Sequence, residues 1–289
     1  MAEAAVYRGM SQAELDRDYS PRVLVPDFQT VIDRWDAQCE IARKSIKNEL
    51  DVAYGPAPAE KLDIYYPDRA GPHPVLLYFH GGGWRARSKV ERAFLATPLT
   101  QAGVMLVNAG YTLLPVQTMD ELVGQCRRAV AWVAGHIAAH GGDPKRLFIA
   151  GESAGGHLVA ELAATDWTAA GFDPAPPVKG ALAISGIYDL EPIWRTSTHG
   201  DLGLTEEQAK RNSPIHHVRK TPTQTILAVG LDESAEFRRQ MDDYSAAMAK
   251  AGIRHDLVRC GGANHYTILD RLCDPRDMLY LSLMRLMRP

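Results

Sequence analysis

An α/β fold built on a twisted, mostly parallel sheet flanked by helices is predicted from three observations. Short β-branched or aromatic runs alternate with amphipathic helices from about residue 51 onward. Several of these runs are apolar throughout rather than alternating, as strands buried on both faces must be. The first 50 residues differ: they are polar-rich and helical in pattern, with apolar side chains at Phe28, Val31, Ile32, Trp35, Ile41 and Ile46. The chain therefore reads as one domain over 1–289, in which a helical N-terminal extension (1–50) partly caps a core (51–289).

Strands are predicted at 62–66, 75–79, 104–107, 147–150, 181–184, 225–229 and 256–260. Between the third and fourth, Thr118 followed by Glu121 is a capping-box pattern that starts a helix. Leu122, Val123, Cys126, Ala129, Val130, Val133 and Ile137 then recur at helical spacing and form one apolar stripe. Gly141 and Gly142 end that helix, and Asp143-Pro144 is expected to turn the chain into the next strand. A second amphipathic helix covers 237–251 and closes at Gly252. The region 173–178, which contains prolines, is expected to be a loop inside the domain rather than a linker.

Composition excludes several functions. The 289 residues carry 32 Lys plus Arg against 35 Asp plus Glu, a formal charge of −3. Nucleic-acid binding needs a concentrated basic face, so no nucleic-acid partner is expected. Hydrophobic residues at 46% and charged residues at 23% rule out disorder of the whole chain. Cys39, Cys126, Cys260 and Cys273 are widely spaced with no CxxC pair, which reads as a reduced, intracellular protein. The N-terminus lacks the basic and apolar regions of a signal peptide. The longest nearly apolar stretch, 129–139, is broken by Gly135 and His136 and falls short of the roughly 20 residues that span a bilayer. A cytoplasmic location with no membrane partner is expected. No cluster has metal-ligand spacing, so no metal or other cofactor is expected. The sequence leaves the oligomeric state, a homodimer included, open.

Two glycine-rich segments carry the chemistry. Gly151-Glu152-Ser153-Ala154-Gly155 lies between a predicted strand and a predicted helix, the setting of a nucleophile elbow. There the serine sits on a tight, strained turn that projects its Oγ above the sheet, and Gly151 and Gly155 leave room where a Cβ would collide. The helix that follows aims backbone N–H groups at any anion forming there. His80-Gly81-Gly82-Gly83-Trp84 follows the strand 75–79 and has the pattern of the other half of an oxyanion hole. The amides of Gly82, Gly83 and Ala154 are the candidate donors, and His80 is expected to be a hydrogen-bonding residue at the loop base.

A serine hydroxyl needs a base and an orienting acid, which elbow enzymes supply in the chain order Ser, acid, His from loops after later strands. His157 is too local to the serine, His216, His217 and His255 sit at the wrong end of strands, and His199 follows no clear strand. His265, in the loop after 256–260, is the candidate base. Asp232, directly after the strand 225–229, is the candidate acid, with Asp189 and the adjacent Glu233 as rivals. Trp84, Tyr111, Tyr188, Trp194 and Tyr266 lie beside predicted strand ends; Trp84 and Tyr188 are the candidates for lining a substrate pocket.

The sequence resembles the arylformamidase (kynurenine formamidase) group of α/β-hydrolases, related to hormone-sensitive-lipase-like carboxylesterases. The likeness runs through Leu15-Asp16-Arg17-Asp18-Tyr19, HGGGW, GESAGGHL, Gly186-Ile187-Tyr188-Asp189-Leu190, Asn212-Ser213-Pro214-Ile215-His216-His217, Glu236-Phe237-Arg238-Arg239-Gln240 and Asn264-His265-Tyr266, nearly the whole chain. It implies an α/β-hydrolase fold, a triad of Ser153, Asp232 and His265, and cleavage of a small acyl group from an aryl-formamide such as N-formyl-kynurenine. HGGxW and GxSxG are shared by many esterases, so the alternative is a carboxylesterase acting on short-chain esters. In either case the partner is a small-molecule ester or formamide. A catalytically inactive binding module would have no need of serine, acid, histidine and both oxyanion segments in order.

Overall fold

The computed structural model describes residues 4–169, 171–172 and 176–288. Eight strands form one sheet in the order β1-β2-β4-β3-β5-β6-β7-β8: β1 Asn48–Ala53, β2 Lys61–Tyr65, β3 His73–Phe79, β4 Met105–Ala109, β5 Gly142–Glu152, β6 Val178–Ile184, β7 Gln224–Gly230 and β8 His255–Cys260. β1 and β2 pair antiparallel, β2 joins β4 antiparallel, and β4 through β8 run parallel. The chain order reverses at β3: β4 lies on one side of it and β5 on the other. Loops leaving β3 and β5 therefore diverge at that point and open a crevice at the carboxyl ends of the strands.

Successive side chains of each central strand enter different cores, which is why the strands read as continuous apolar runs. Val75, Leu77 and Phe79 face one cluster, with α5 (Met119–His136), α6 (Ala154–Ala163) and α10 (Ala235–Lys250) packed against it. Leu76 and Tyr78 face the other, covered by α3 (Phe28–Ser45), α4 (Ala96–Gln101), α11 (Ile268–Arg271) and α12 (Met278–Leu286). Short helices complete the rim: α1 Gln12–Asp18 and α2 Pro21–Leu24 before α3, and α7 Glu191–Arg195, α8 His199–Leu202 and α9 Glu206–Arg211 between β6 and β7. No described helix is long and apolar enough to cross a membrane.

Each predicted strand forms, with ends moved by a few residues. β1 escapes the pattern because it is a polar edge strand: its side chains are mostly exposed, and a bulge at Asp51 shifts its register against β2. It is held by backbone pairing and by Lys89 Nζ, which bridges Asp51 and the fully buried Asp63. Thr118 and Glu121 do form the capping box of α5. Asp143-Pro144 is not the expected turn. β5 already begins at Gly142, which pairs with His73, and proline is tolerated so near a strand's start. Of the loop expected at 173–178, residues 173–175 lie outside the described residues, and Val178 is the first residue of β6.

The N-terminal helices are packed onto the core. Trp35 of α3 is 2% exposed, stacks on Phe94 at 5.2 Å between centroids, and donates its indole N–H to Asp270 of α11 at 2.8 Å. Arg34 holds the same carboxylate through two nitrogens, at 3.0 and 2.7 Å. Trp35→Ala should lose about 3–5 kcal/mol in urea unfolding. Trp35→Phe, which keeps the stacking face but not the indole donor, should lose clearly less. An unchanged midpoint for Trp35→Ala would mean that this helix contributes nothing to the folded state.

Candidate active site

β5 delivers Ser153 to the crevice. Its backbone stands at φ 56°, ψ −118°, a region that costs a non-glycine residue on the order of 1–3 kcal/mol, and α6 begins at the next residue. The strain is held by the surroundings: Ser153 N–H donates to Ile184 O of β6 at 2.8 Å. Gly155 has no alternative, because a Cβ there would run into the carbonyl of Phe79 at the end of β3. Strand, turn and helix are thus locked to both neighbouring strands.

β3 delivers the second segment. Gly82 turns at φ +119°, where a Cβ would also meet the carbonyl of Ala86, and among the described residues nothing accepts from the amides of Gly82 and Gly83. Ala154, as the first residue of α6, has an amide with no intrahelical acceptor. The loop is held from below by Glu152, the residue before the serine. Its buried carboxylate accepts from Gly81 N–H at 2.6 Å, Tyr78 O–H at 2.6 Å, and Arg92 Nε at 2.8 Å and Nη2 at 2.5 Å. Sequence reasoning gave Glu152 no role, and Arg92 is brought to it from 60 residues away.

His80 sits at the loop base, as expected. It is buried and stacked on Tyr111 at 4.3 Å, and burial pulls its pKa down to about 4, so it is neutral at pH 7. His157 is buried too, and desolvation again lowers its pKa. Its Nε2 donates to the carbonyl of Asn212 at 2.7 Å, which leaves Nδ1 to accept the indole N–H of Trp84 at 3.2 Å. Trp84 is fixed in this way and forms part of the cavity wall while only 1% exposed.

The carboxylate that meets His265 differs from the expected one. His265 Nδ1 lies 2.6 Å from Oε2 of Glu233, not from Asp232. The other oxygen of Glu233 accepts from Ser185 O–H at 2.5 Å and Gly230 N–H at 2.7 Å, and the residue is buried. The reason lies in the backbone. Leu231 and Asp232 extend the pairing of β7 with the β8 end, donating to the carbonyls of Cys260 and Ala263, and both side chains face solvent. The turn brings the next side chain inward, and Ser234 then caps α10. Asp189, the other rival, spends its carboxylate on the amide of Glu191 at 2.9 Å. Chain order located the loop, but only its backbone path could choose between adjacent residues pointing opposite ways. The role of Ser185, at φ 49° after β6, left no sequence signal.

Ser153 and His265 line one cavity of about 740 Å³, together with Gly82, Gly83, Trp84 and Phe237. No direct hydrogen bond joins the serine hydroxyl to the imidazole; Glu233 takes Nδ1, so Nε2 is the nitrogen left for the cavity. Free elbow enzymes often show this contact long, tightening it on substrate binding. Tyr188 does not line the cavity. It is fully buried, stacked on Tyr244 at 4.4 Å, with its N–H held by Gln240 Oε1, and its neighbour Ile187 takes the wall position instead.

Removing the orienting carboxylate gives a clean test of this geometry. In a p-nitrophenyl ester assay, Glu233→Gln should lower kcat by about 10⁴-fold, whereas Asp232→Asn should stay within about twofold of the parent. The opposite ranking, in two variants that melt like the parent, would return the acid to Asp232.

The BD-FAE family model matches residues 62–240. Kynurenine formamidase of Danio rerio is 36% identical, over 97% of this chain and 98% of the relative, and that of Salmo salar is 35% identical over the same shares. Esterase LipQ of Mycobacterium tuberculosis is 38% identical over 73% of this chain and 55% of its own length. Among solved structures, a putative thioesterase from Silicibacter sp. superposes with a TM-score of 0.82 at 26% identity, covering 94% of this chain and 99% of that one. A Pyrobaculum calidifontis esterase shares the fold, with a TM-score of 0.69 at 19% identity over 91% and 95% of the two chains. The chain is thus a hydrolase of the α/β-hydrolase fold that belongs to the BD-FAE family, in the group that includes the kynurenine formamidases.

Proposed function

We propose that the chain is a serine hydrolase that removes the formyl group of an aryl-formamide such as N-formyl-kynurenine through an acyl-enzyme. The observation that carries this reading is the buried Glu233–His265 pair, sharing one cavity with Ser153 at a strained elbow and with the unbonded amides of Gly82 and Gly83. Near-full-length similarity to two kynurenine formamidases supports the choice of substrate.

In this mechanism His265 Nε2 takes the Ser153 proton as Oγ forms a bond to the formyl carbon. Glu233 holds Nδ1–H, fixes the tautomer and stabilises the imidazolium. The oxyanion rests on the amides of Gly82, Gly83 and Ala154, each worth roughly 3–4 kcal/mol in the transition state. As the C–N bond breaks, His265 gives its proton to the departing aryl-amine nitrogen. Water then attacks the formyl-serine while His265 takes one of its protons, His265 returns that proton to Ser153 Oγ as the C–Oγ bond breaks, and formic acid leaves and ionises to formate. Formyl needs little room on the acyl side, so the cavity volume serves the aryl leaving group against Ile187, Leu202 and Phe237. Tyr19 and Trp35 from the N-terminal segment close part of the wall, which helps exclude water.

A carboxylesterase acting on short-chain esters is the second reading, supported by the similarity to esterase LipQ. Comparing kcat/KM for N-formyl-kynurenine with that for short p-nitrophenyl esters decides between them. The formamide should be the better substrate; ester turnover with negligible formamide cleavage would establish the second reading. Ser153→Ala should abolish both activities with the fold intact, and substantial residual turnover would remove Ser153 from the nucleophile's role.

A further inference from the structure

The cavity wall and the whole chain differ in charge. The chain carries −3 overall, yet five arginines (Arg17, Arg22, Arg85, Arg87 and Arg92) line the cavity against two carboxylates, Asp16 and Glu152. Four of the arginines are already engaged: Arg17 with Asp18, Arg85 with Asp201, Arg87 with Glu91, and Arg92 with Glu152. Arg22 has no carboxylate within ion-pair distance among the described residues. Its position is set by an aromatic ladder that leads to the catalytic base. The guanidinium lies 5.6 Å from the centroid of the Phe28 ring, Phe28 stacks on Tyr266 at 5.5 Å, and Tyr266 packs edge-on against His265. A guanidinium prefers a planar anion held through two N–H groups, and here it stands at the mouth of a hydrolytic cavity with none.

We propose that Arg22 is the carboxylate-recognition residue of this site, and that the hydrolase selects acyl substrates bearing a carboxylate on the leaving group over neutral ones of the same shape. This rests on the hydrolase reading of the site and narrows its substrate class. The other lining arginines are each matched by a carboxylate of the protein, so Arg22 supplies the contact. The contact persists through the reaction, because the leaving group keeps its carboxylate as its nitrogen is protonated. Arg22 therefore acts chiefly on KM.

The test compares formanilide with 2-formamidobenzoate, two aryl-formamides that differ by one carboxylate, in the full-length parent, Arg22→Ala and Arg22→Lys. In the parent, 2-formamidobenzoate should have the lower KM, and about 0.5 M NaCl should raise that KM while leaving formanilide's nearly unchanged. Arg22→Ala should raise the KM for 2-formamidobenzoate at least tenfold more than that for formanilide, with kcat changed little, and Arg22→Lys should restore part of the difference. Equal losses on both substrates, or none on either, would overturn the proposal. If the parent cleaves neither formamide, the formamidase reading fails. The same comparison then runs on phenyl acetate and 3-acetoxybenzoate, two esters that differ by one carboxylate on the leaving group; a charge preference that Arg22→Ala leaves in place, or no preference, would overturn the role of Arg22.

Discussion

The geometry of this site depends on one buried carboxylate. Glu233 sits out of water, where an ionised group is stable only if hydrogen bonds replace its hydration. It receives them from three places in the sheet: Ser185 after β6, Gly230 at the end of β7, and His265 after β8. Satisfying the carboxylate therefore fixes three loops relative to one another. The imidazole is oriented by the same bonds that make the burial tolerable, so the chemistry and the loop packing cannot be separated.

A second buried carboxylate does the corresponding work on the other side of Ser153. Glu152 gathers donors from β3, from the loop after it and from Arg92, whose guanidinium lies over the ring of Trp35 at 5.6 Å. The N-terminal helix, the oxyanion segment and the elbow are joined through this pair. Trp84 adds a further tie, since its indole is held by a histidine on the helix that follows Ser153. Charged groups so near the serine are tolerable because each is matched: two carboxylates with full donor sets, and two histidines, His80 and His157, whose burial disfavours the charged form.

The crevice itself follows from topology. With β4 and β5 on opposite sides of β3, no other position in the sheet leaves two adjacent strand ends whose loops diverge. Both glycine-rich segments occupy that position, and helices α1 to α3 reach over it from the N-terminus. The cavity is consequently walled by side chains from both ends of the chain, which lets a segment outside the sheet shape the substrate space.

By itself the sequence determined the α/β class and seven of the eight strands, and it marked Ser153, Gly82, Gly83 and His265 as candidates. These are written locally, in apolar runs, in glycines where a Cβ would collide, and in the order of loops along the chain. Tertiary structure alone decided that Glu233 rather than Asp232 meets the imidazole, that Tyr188 turns into the core while Ile187 faces the cavity, and that Glu152 and Arg92 hold the glycine loop after β3. Each of these depends on the direction in which one side chain leaves a loop, or on a partner distant in the chain. Neighbouring residues can point opposite ways, and no periodicity records which one faces inward.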